Sequence, residues 1–273
     1  MVGPCLSGLL KTRSIPFATL GRGANGNSIT ADLSHPDTVC IEGRFDVLIH
    51  MAPLWLLPDN LERVLAAGVR QVVAFSSTSA ESKRHSPDAG DRALAVALVS
   101  AEDRLKAHAA ATNIALTLFR PTMIYGYGRD GNVMAIARLI RKLGFFPIAG
   151  SGKGLRQPVH AGDLADAALK CLATASTAGR TYNLGGAEVL SYKHLVARIF
   201  TALGRKPRVI HVAPAIYGAL MGIAANLKLT GGVSPGAARR MNEDLCFDTG
   251  PAETDFDYRG SAFLMDPKRD LPV

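Results

Sequence analysis

The chain reads as an α/β protein built on a doubly wound parallel sheet, and three observations lead there. Short apolar runs, each followed by Gly, Pro or Ser, recur at Ile15–Leu20, Val47–His50, Val72–Ser76 and Ala115–Arg120. Helical patterns separate them, at about 58–68 and 88–112, the latter rich in Ala, Leu and Glu. Strands alternating with helices make βαβ units, whose parallel sheet is covered on both faces. The third observation is size: 273 residues, 48% of them hydrophobic, can bury one substantial core, or one core and a small lobe.

Taken in order, the chain opens Met1-Val2-Gly3-Pro4, with proline where the start of a helix tolerates it. The run Ile15–Leu20 ends in Gly21-Arg22-Gly23, and Asp32 follows in Ala31-Asp32-Leu33. His50-Met51-Ala52-Pro53 closes the second run, Ser76-Ser77-Thr78 the third and Arg120-Pro121-Thr122 the fourth. In such sheets ligands bind beyond the carboxyl ends of the strands, where all three segments fall. Asn132 follows Arg129-Asp130-Gly131 on a loop. After residue 150 the rhythm changes. Arg156–His160 is a short extended piece, Asp163 to Ala173 a helix and Thr181–Leu184 a strand. Ser191 caps a helix running to Leu203, with Gly204 as its stop. A division into 1–150 and 151–273 is expected, the second part interleaved with the sheet.

Net charge is +8, from 31 Lys and Arg against 23 Asp and Glu. The basic residues are scattered singly and in pairs without interleaved aromatics, which suits a phosphate-bearing small molecule and not nucleic acid. Four cysteines stand far apart with no C-x-x-C pair, so neither a disulfide framework nor a metal site is expected, and a cytoplasmic, reducing setting is. The N-terminus lacks the order of a signal peptide. Val209 to Leu227 has no Asp, Glu, Lys or Arg, but Pro214 interrupts it. A strand over Arg208–Val212 followed by a buried helix is expected there, not a membrane span.

Phe75-Ser76-Ser77-Thr78, Arg120-Pro121-Thr122-Met123-Ile124-Tyr125-Gly126, Gly152-Lys153-Gly154-Leu155-Arg156-Gln157-Pro158-Val159-His160 and Asp163-Leu164-Ala165 stand in one order and spacing. Together they resemble the extended short-chain dehydrogenases of the NAD-dependent epimerase/dehydratase group, which are Rossmann-like. The resemblance covers about residues 2–258, and Asp266-Pro267-Lys268-Arg269-Asp270 beyond it reads as a solvated tail. The resemblance implies hydride transfer to or from a nucleotide-linked sugar. On the cofactor side it implies contacts from Gly3, Arg22, Asp32, His50, Ala52, Ser76 and Pro121. Arg22, standing where NAD-preferring proteins carry an acid, would favour NADP over NAD. Thr78 falls on the hydroxyl position that bonds the reacting oxygen. On the substrate side the resemblance implies Asn132, a diphosphate clamp at Arg156, and a second contact from Arg240, whose spacing to Asp248 departs from the pattern.

Two departures are larger. The family's Tyr-x-x-x-Lys pair is absent: aligned by Ala101-Glu102 and Leu105, Leu94 and Leu98 occupy its positions, and no tyrosine precedes Tyr125. Tyr125 belongs to the ordinary Tyr-Gly turn, which leaves Tyr127 as the candidate acid. The family's first strand and first two glycines have no residues to form them. A start assigned downstream of the true one, or a truncated copy, would explain this, and weak cofactor binding is expected of the chain as given. An atypical enzyme and a non-catalytic dinucleotide-binding sensor or assembly subunit both fit.

Overall fold

The computed structural model describes residues 1–23, 28–218 and 236–272. Helix α1 (Val2–Thr12) precedes two short strands, β1 (Thr19–Gly21) and β2 (Ser28–Thr30), which pair in parallel with each other. Then come β3 (Val47–His50), α2 (Leu61–Ala66), β4 (Gln71–Phe75), the short α3 (Ser79–Ser82), α4 (Ala89–Thr112) and β5 (Ala115–Pro121). The main sheet is β3-β4-β5-β10, all parallel, with β10 at Thr181–Leu184. Strand β10 thus returns to the sheet built by the earlier part of the chain.

Alternation along β4 assigns its two faces. Val72 and Ala74 pack with Leu61, Val64, Leu98 and Leu105 of α2 and α4, while Val73 and Phe75 pack with Leu6, Leu164 and Phe256 from the other side. Helices therefore cover both faces, with α6 (Ala161–Leu172) beside α1 on the second. Helix α4 begins because Asp88 accepts the Asp91 N–H at 2.8 Å, and stops where Asn113 turns left-handed. A further core joins α5 (Val133–Leu143), β7 (Phe146–Ala149) and α7 (Tyr192–Ala202) around Ile140, Phe200 and Phe263.

Between these cores run three two-stranded ladders. The parallel pairs are β6 (Ile124–Tyr125) with β9 (Val159–His160), and β7 with β12 (Val209–Val212). Strand β8 (Leu155–Arg156) runs antiparallel to β11 (Leu190–Ser191). Residues 214–218 are helical, as expected from Pro214, but the expected burial is not found: Tyr217 is buried while residues 214–216 and 218 are exposed, and residues 219–227 lie outside the described residues. Among the described residues no helix is long and apolar enough to cross a membrane.

Two expectations need correction. The first strand is shorter than Ile15–Leu20, because the end of α1 uses that chain: the Ile15 N–H donates back to the Leu10 carbonyl at 2.9 Å. The charged stretch Asp266–Asp270, read as a solvated tail, is instead docked. Asp266 caps a helical turn over Pro267–Asp270, Leu271 enters the core, and Arg141 donates to the carbonyls of Leu271 and Pro272.

Candidate functional site

The carboxyl ends of β3, β4 and β5 converge on His50, Ser76 and Pro121. His50 is buried at the end of β3 with Nε2 3.3 Å from the Pro53 carbonyl, and burial holds its pKa below the ordinary value. Its ring is therefore a neutral packing group beside Ala52. The Thr78 N–H and its Oγ1 both donate to the Pro121 carbonyl, at 3.1 and 3.2 Å. Two of the expected residues are thus brought together across neighbouring strand ends. Ser76 points elsewhere: its hydroxyl donates to Glu102, which also receives the Arg120 guanidinium. This buried carboxylate on α4 ties β4 to β5, and it raises the Arg120 pKa through the hydrogen bond between them.

Leu98 is 4% exposed and packs among Val72, Ala74, Leu116 and Leu118, with Leu94 partly buried against the same cluster. Tyr127 lies after β6 in a left-handed conformation, φ +57. Its ring meets His160 at 5.1 Å and the Arg269 guanidinium at 5.2 Å. Burial raises the phenol's pKa, and the nearby Cys5 thiol adds to the rise. It shares no hydrogen bond with Thr78 among the described contacts.

At the opposite end of the expected cofactor track, the first turn of α1 carries no side-chain cap, and a Cβ on Gly3 would meet open space. Arg22 is exposed. Asp32 is committed to Ser34, accepting from its N–H at 2.9 Å and its hydroxyl at 2.6 Å, and these bonds hold its pKa down.

On the other side, Asn132 is exposed at the start of α5, its N–H given to Asp130. Arg156 is 5% exposed. Its Nη1 donates to the carbonyls of Leu155 at 2.7 Å and Glu243 at 2.8 Å, its Nη2 donates to the Arg240 carbonyl, and its charge lies 5.4 Å from the Tyr192 ring. Burial presses its pKa down. Among the described residues no carboxylate comes within ion-pair distance. Arg240, by contrast, donates from Nη1 to Asp91 of α4 at 2.9 Å.

Sequence reasoning missed Asp91 and Asp270. Asp91 sits in a first helical turn, where acidic residues are ordinary, so no local pattern marked it. Asp270 lay in the stretch read as tail.

A parallel sheet with helices on both faces defines a Rossmann-type fold. Residues 55–185 match the model of the NAD dependent epimerase/dehydratase family. It is 31% identical over 123 residues to an uncharacterized protein, y4nG, of Sinorhizobium fredii, and 32% identical over 122 residues to an Arabidopsis thaliana mitochondrial NADH dehydrogenase [ubiquinone] 1 alpha subcomplex subunit 9. Those matches take in 44% and 42% of this chain but only 29% and 30% of the relatives, so the chain spans under a third of their length. Among solved structures, a UDP-glucuronic acid 4-epimerase variant from Bacillus cereus, complexed with a fluorinated UDP-sugar and NAD, superposes with TM-score 0.73 at 14% identity, covering 99% of this chain and 94% of that one. MoeE5 in complex with UDP-glucose and NAD gives 0.68 at 19%, covering 96% and 91%. At such identities the likeness is one of fold.

Proposed function

We propose that this chain binds a nicotinamide dinucleotide, NADP in preference to NAD, together with a nucleotide-linked sugar or a similarly polar phosphate-bearing molecule, and acts on it by hydride transfer. The observation that carries the reading is Arg156. A guanidinium buried among carbonyls, with no carboxylate to balance it, is costly unless an anion completes its surroundings. A substrate diphosphate is such an anion, and its planar oxygens suit the guanidinium fork. The UDP-sugars held by the similar MoeE5 and B. cereus structures support the same class.

The residues at the strand ends fit a dinucleotide. The uncapped first turn of α1 and the open face of Gly3 leave room for a pyrophosphate, and exposed Arg22 suits a 2′-phosphate. His50, Ala52, Ser76 and Pro121 line the track between, and the bound nicotinamide supplies the hydride donor or acceptor. Thr78 holds the reacting oxygen of the substrate, its hydroxyl exchanging the Pro121 carbonyl for it. Asn132, Arg156 and Arg240 hold the polar end, which makes residues 151–273 mainly the substrate side. Leu94 and Leu98 can neither give nor take a proton. Tyr127 keeps its proton at neutral pH because burial raises its pKa, which suits an acid and not a base. The described cysteines are unpaired, which suits a reducing cytoplasm.

A second reading, a non-catalytic dinucleotide-binding assembly subunit, is favoured by one pair of observations. Leu98 and the partly buried Leu94, which the resemblance aligns with the family's catalytic pair, pack in an apolar cluster, and the Arabidopsis relative is named as a NADH dehydrogenase subunit.

Incubation with NADPH, NADP or NAD and a panel of nucleotide sugars separates the two, with nicotinamide absorbance and product chromatography as readouts. Turnover that Thr78→Ala abolishes supports the enzyme. Saturable binding of cofactor and UDP-sugar without turnover supports the subunit, and binding of neither overturns both.

A further inference from the structure

Asp91 occupies an unusual place for a carboxylate in the first turn of a helix. Its side chain is 8% exposed and is shared between two cations from different parts of the chain. Lys83 Nζ lies 2.7 Å from Oδ1, while Arg240 Nη1 donates to Oδ2 at 2.9 Å. The Ser86 hydroxyl completes the set at 3.1 Å from Oδ2. Burial by itself would raise the pKa of Asp91, but the hydrogen bond and charge of Lys83, the charge of Arg240 and the Ser86 hydroxyl outweigh it and hold it low. The group is therefore ionised, and the cluster of three charges carries a net positive charge.

What Arg240 does with its backbone gives the cluster a purpose. The Arg240 and Glu243 carbonyls are the ones that cap the Arg156 guanidinium. One short stretch thus lays its main chain on Arg156 and sends its side chain across to α4. The approach is close, since a Cβ on Gly236 would come within 2.7 Å of Arg240 Nη1 and 3.2 Å of Asp91 Oδ2. The charge of Arg240 is also felt at Arg156, whose pKa it lowers beyond the effect of burial.

We infer that Asp91 is a positioning residue for the phosphate side of the cleft: by holding Arg240 through one Nη, it sets that guanidinium beside Arg156 as the second contact for an anionic substrate. The inference rests on the proposed diphosphate role of Arg156 and Arg240, and goes beyond it in assigning Asp91. Among the described residues the Nε and second Nη of Arg240 take no hydrogen-bond acceptor, and the proposal gives them to the substrate. The Asp91 charge does not repel the incoming phosphate strongly, because Lys83 already neutralises it at 2.7 Å. Without the carboxylate, Lys83 and Arg240 face each other as like charges and Arg240 leaves its place.

Calorimetric titration of UDP, with NAD titrated in parallel, tests this on the wild-type chain and on Asp91→Asn, Asp91→Glu, Arg240→Gln and the Asp91→Asn/Arg240→Gln pair. Loss of one charged hydrogen-bonding partner is expected to weaken UDP about tenfold in Asp91→Asn and in Arg240→Gln alike. The double variant is expected to be no weaker than either single one, since the two act as a unit. Asp91→Glu recovers most of the affinity, and NAD affinity stays within about twofold throughout, which a general loss of structure would not leave intact. Should Asp91→Asn fail to fold, Arg240→Gln against the wild type carries the test. Unchanged or tighter UDP binding in Asp91→Asn, additive losses, or an equal fall in NAD affinity would each overturn the role of Asp91 while leaving the nucleotide-sugar reading standing. A wild-type chain that binds no UDP overturns both.

Discussion

His160 Nε2 lies 3.2 Å from Asp270 Oδ1, and the Asp270 side chain has no exposure to solvent. The other ring nitrogen of His160 accepts the Gly162 N–H at the start of α6, which leaves Nε2 to donate to Asp270. Asp270 also takes the Tyr127 N–H and the Arg269 guanidinium. One carboxylate thereby pins the last turn of the described chain to the β6 and β9 ladder and to the entrance of α6.

This pairing makes the fold acid-sensitive in a defined window. Burial alone would raise the Asp270 pKa, yet His160, Arg269 and the Tyr127 N–H bring it down from 3.8 to about 2. A depressed carboxylate contributes stability that is complete above its unfolded pKa and lost as pH falls through the folded one. The contribution is on the order of 2 kcal/mol, lost between about pH 4 and pH 2. Asp270→Asn is expected to lower the thermal midpoint at neutral pH and to flatten its dependence on pH across that window. Thermal melts of both proteins at stepped pH check this, and parallel curves would count against it.

The tie between β4 and β5 should be asymmetric under mutation. Arg120→Met leaves the buried Glu102 carboxylate, 1% exposed, with Ser76 as its one partner among the described residues. Stranding one member of a buried pair costs about 3–5 kcal/mol. Glu102→Gln removes the charge that needs burying and should cost less. Urea unfolding of the two variants reads the difference, and an equal loss would deny that the buried charge is the cause.

Leu98 and Leu94 differ in how they would tolerate the family's usual residues. Leu98→Lys puts an ammonium among Val72, Ala74 and Leu118 and is expected to cost several kcal/mol, about 3 or more, by desolvation. Leu94→Tyr, at a partly buried position, should be tolerated. Turnover that appears only in the Leu94→Tyr/Leu98→Lys pair would favour the binding-protein reading of the natural chain.

Thr78→Ala removes a hydroxyl whose only recorded acceptor is the Pro121 carbonyl, while Thr78→Ser keeps it. For an active enzyme, Thr78→Ala is expected to lower kcat about a hundredfold with the cofactor Kd nearly unchanged, and Thr78→Ser to restore most of the rate. Equal losses in both would make the methyl group, and hence packing, the cause.

How far the sequence could be read depended on the range of the interactions. Strands β3 and β10 fall at the bounds that apolar runs between turn residues indicate, and Asp88, Ser191 and Gly204 mark helix ends because caps are local chemistry. Glu102 entered only as an alignment mark, although it joins residues 26 positions before it and 18 after. The Asp91–Arg240 pair spans 149 positions and His160–Asp270 spans 110. Nothing periodic or local announces such partners, so a docked tail read as solvated and a charge cluster went unmarked. The identity of the acceptors of Arg156 was hidden for the same reason: they are carbonyls of residues 240 and 243, which carry no side-chain signature.

The central claim is that cofactor and sugar nucleotide share the cleft at the carboxyl ends of β3, β4 and β5. Hydrogen–deuterium exchange with saturating NADP and UDP-glucose tests it most directly. Added protection confined to peptides containing Gly3, Arg22, Asp32, His50–Pro53, Ser76–Thr78, Pro121–Thr122, Asn132, Leu155–His160 and Arg240 is the predicted result. Protection elsewhere on the chain, or none at concentrations where titration shows binding, would contradict it.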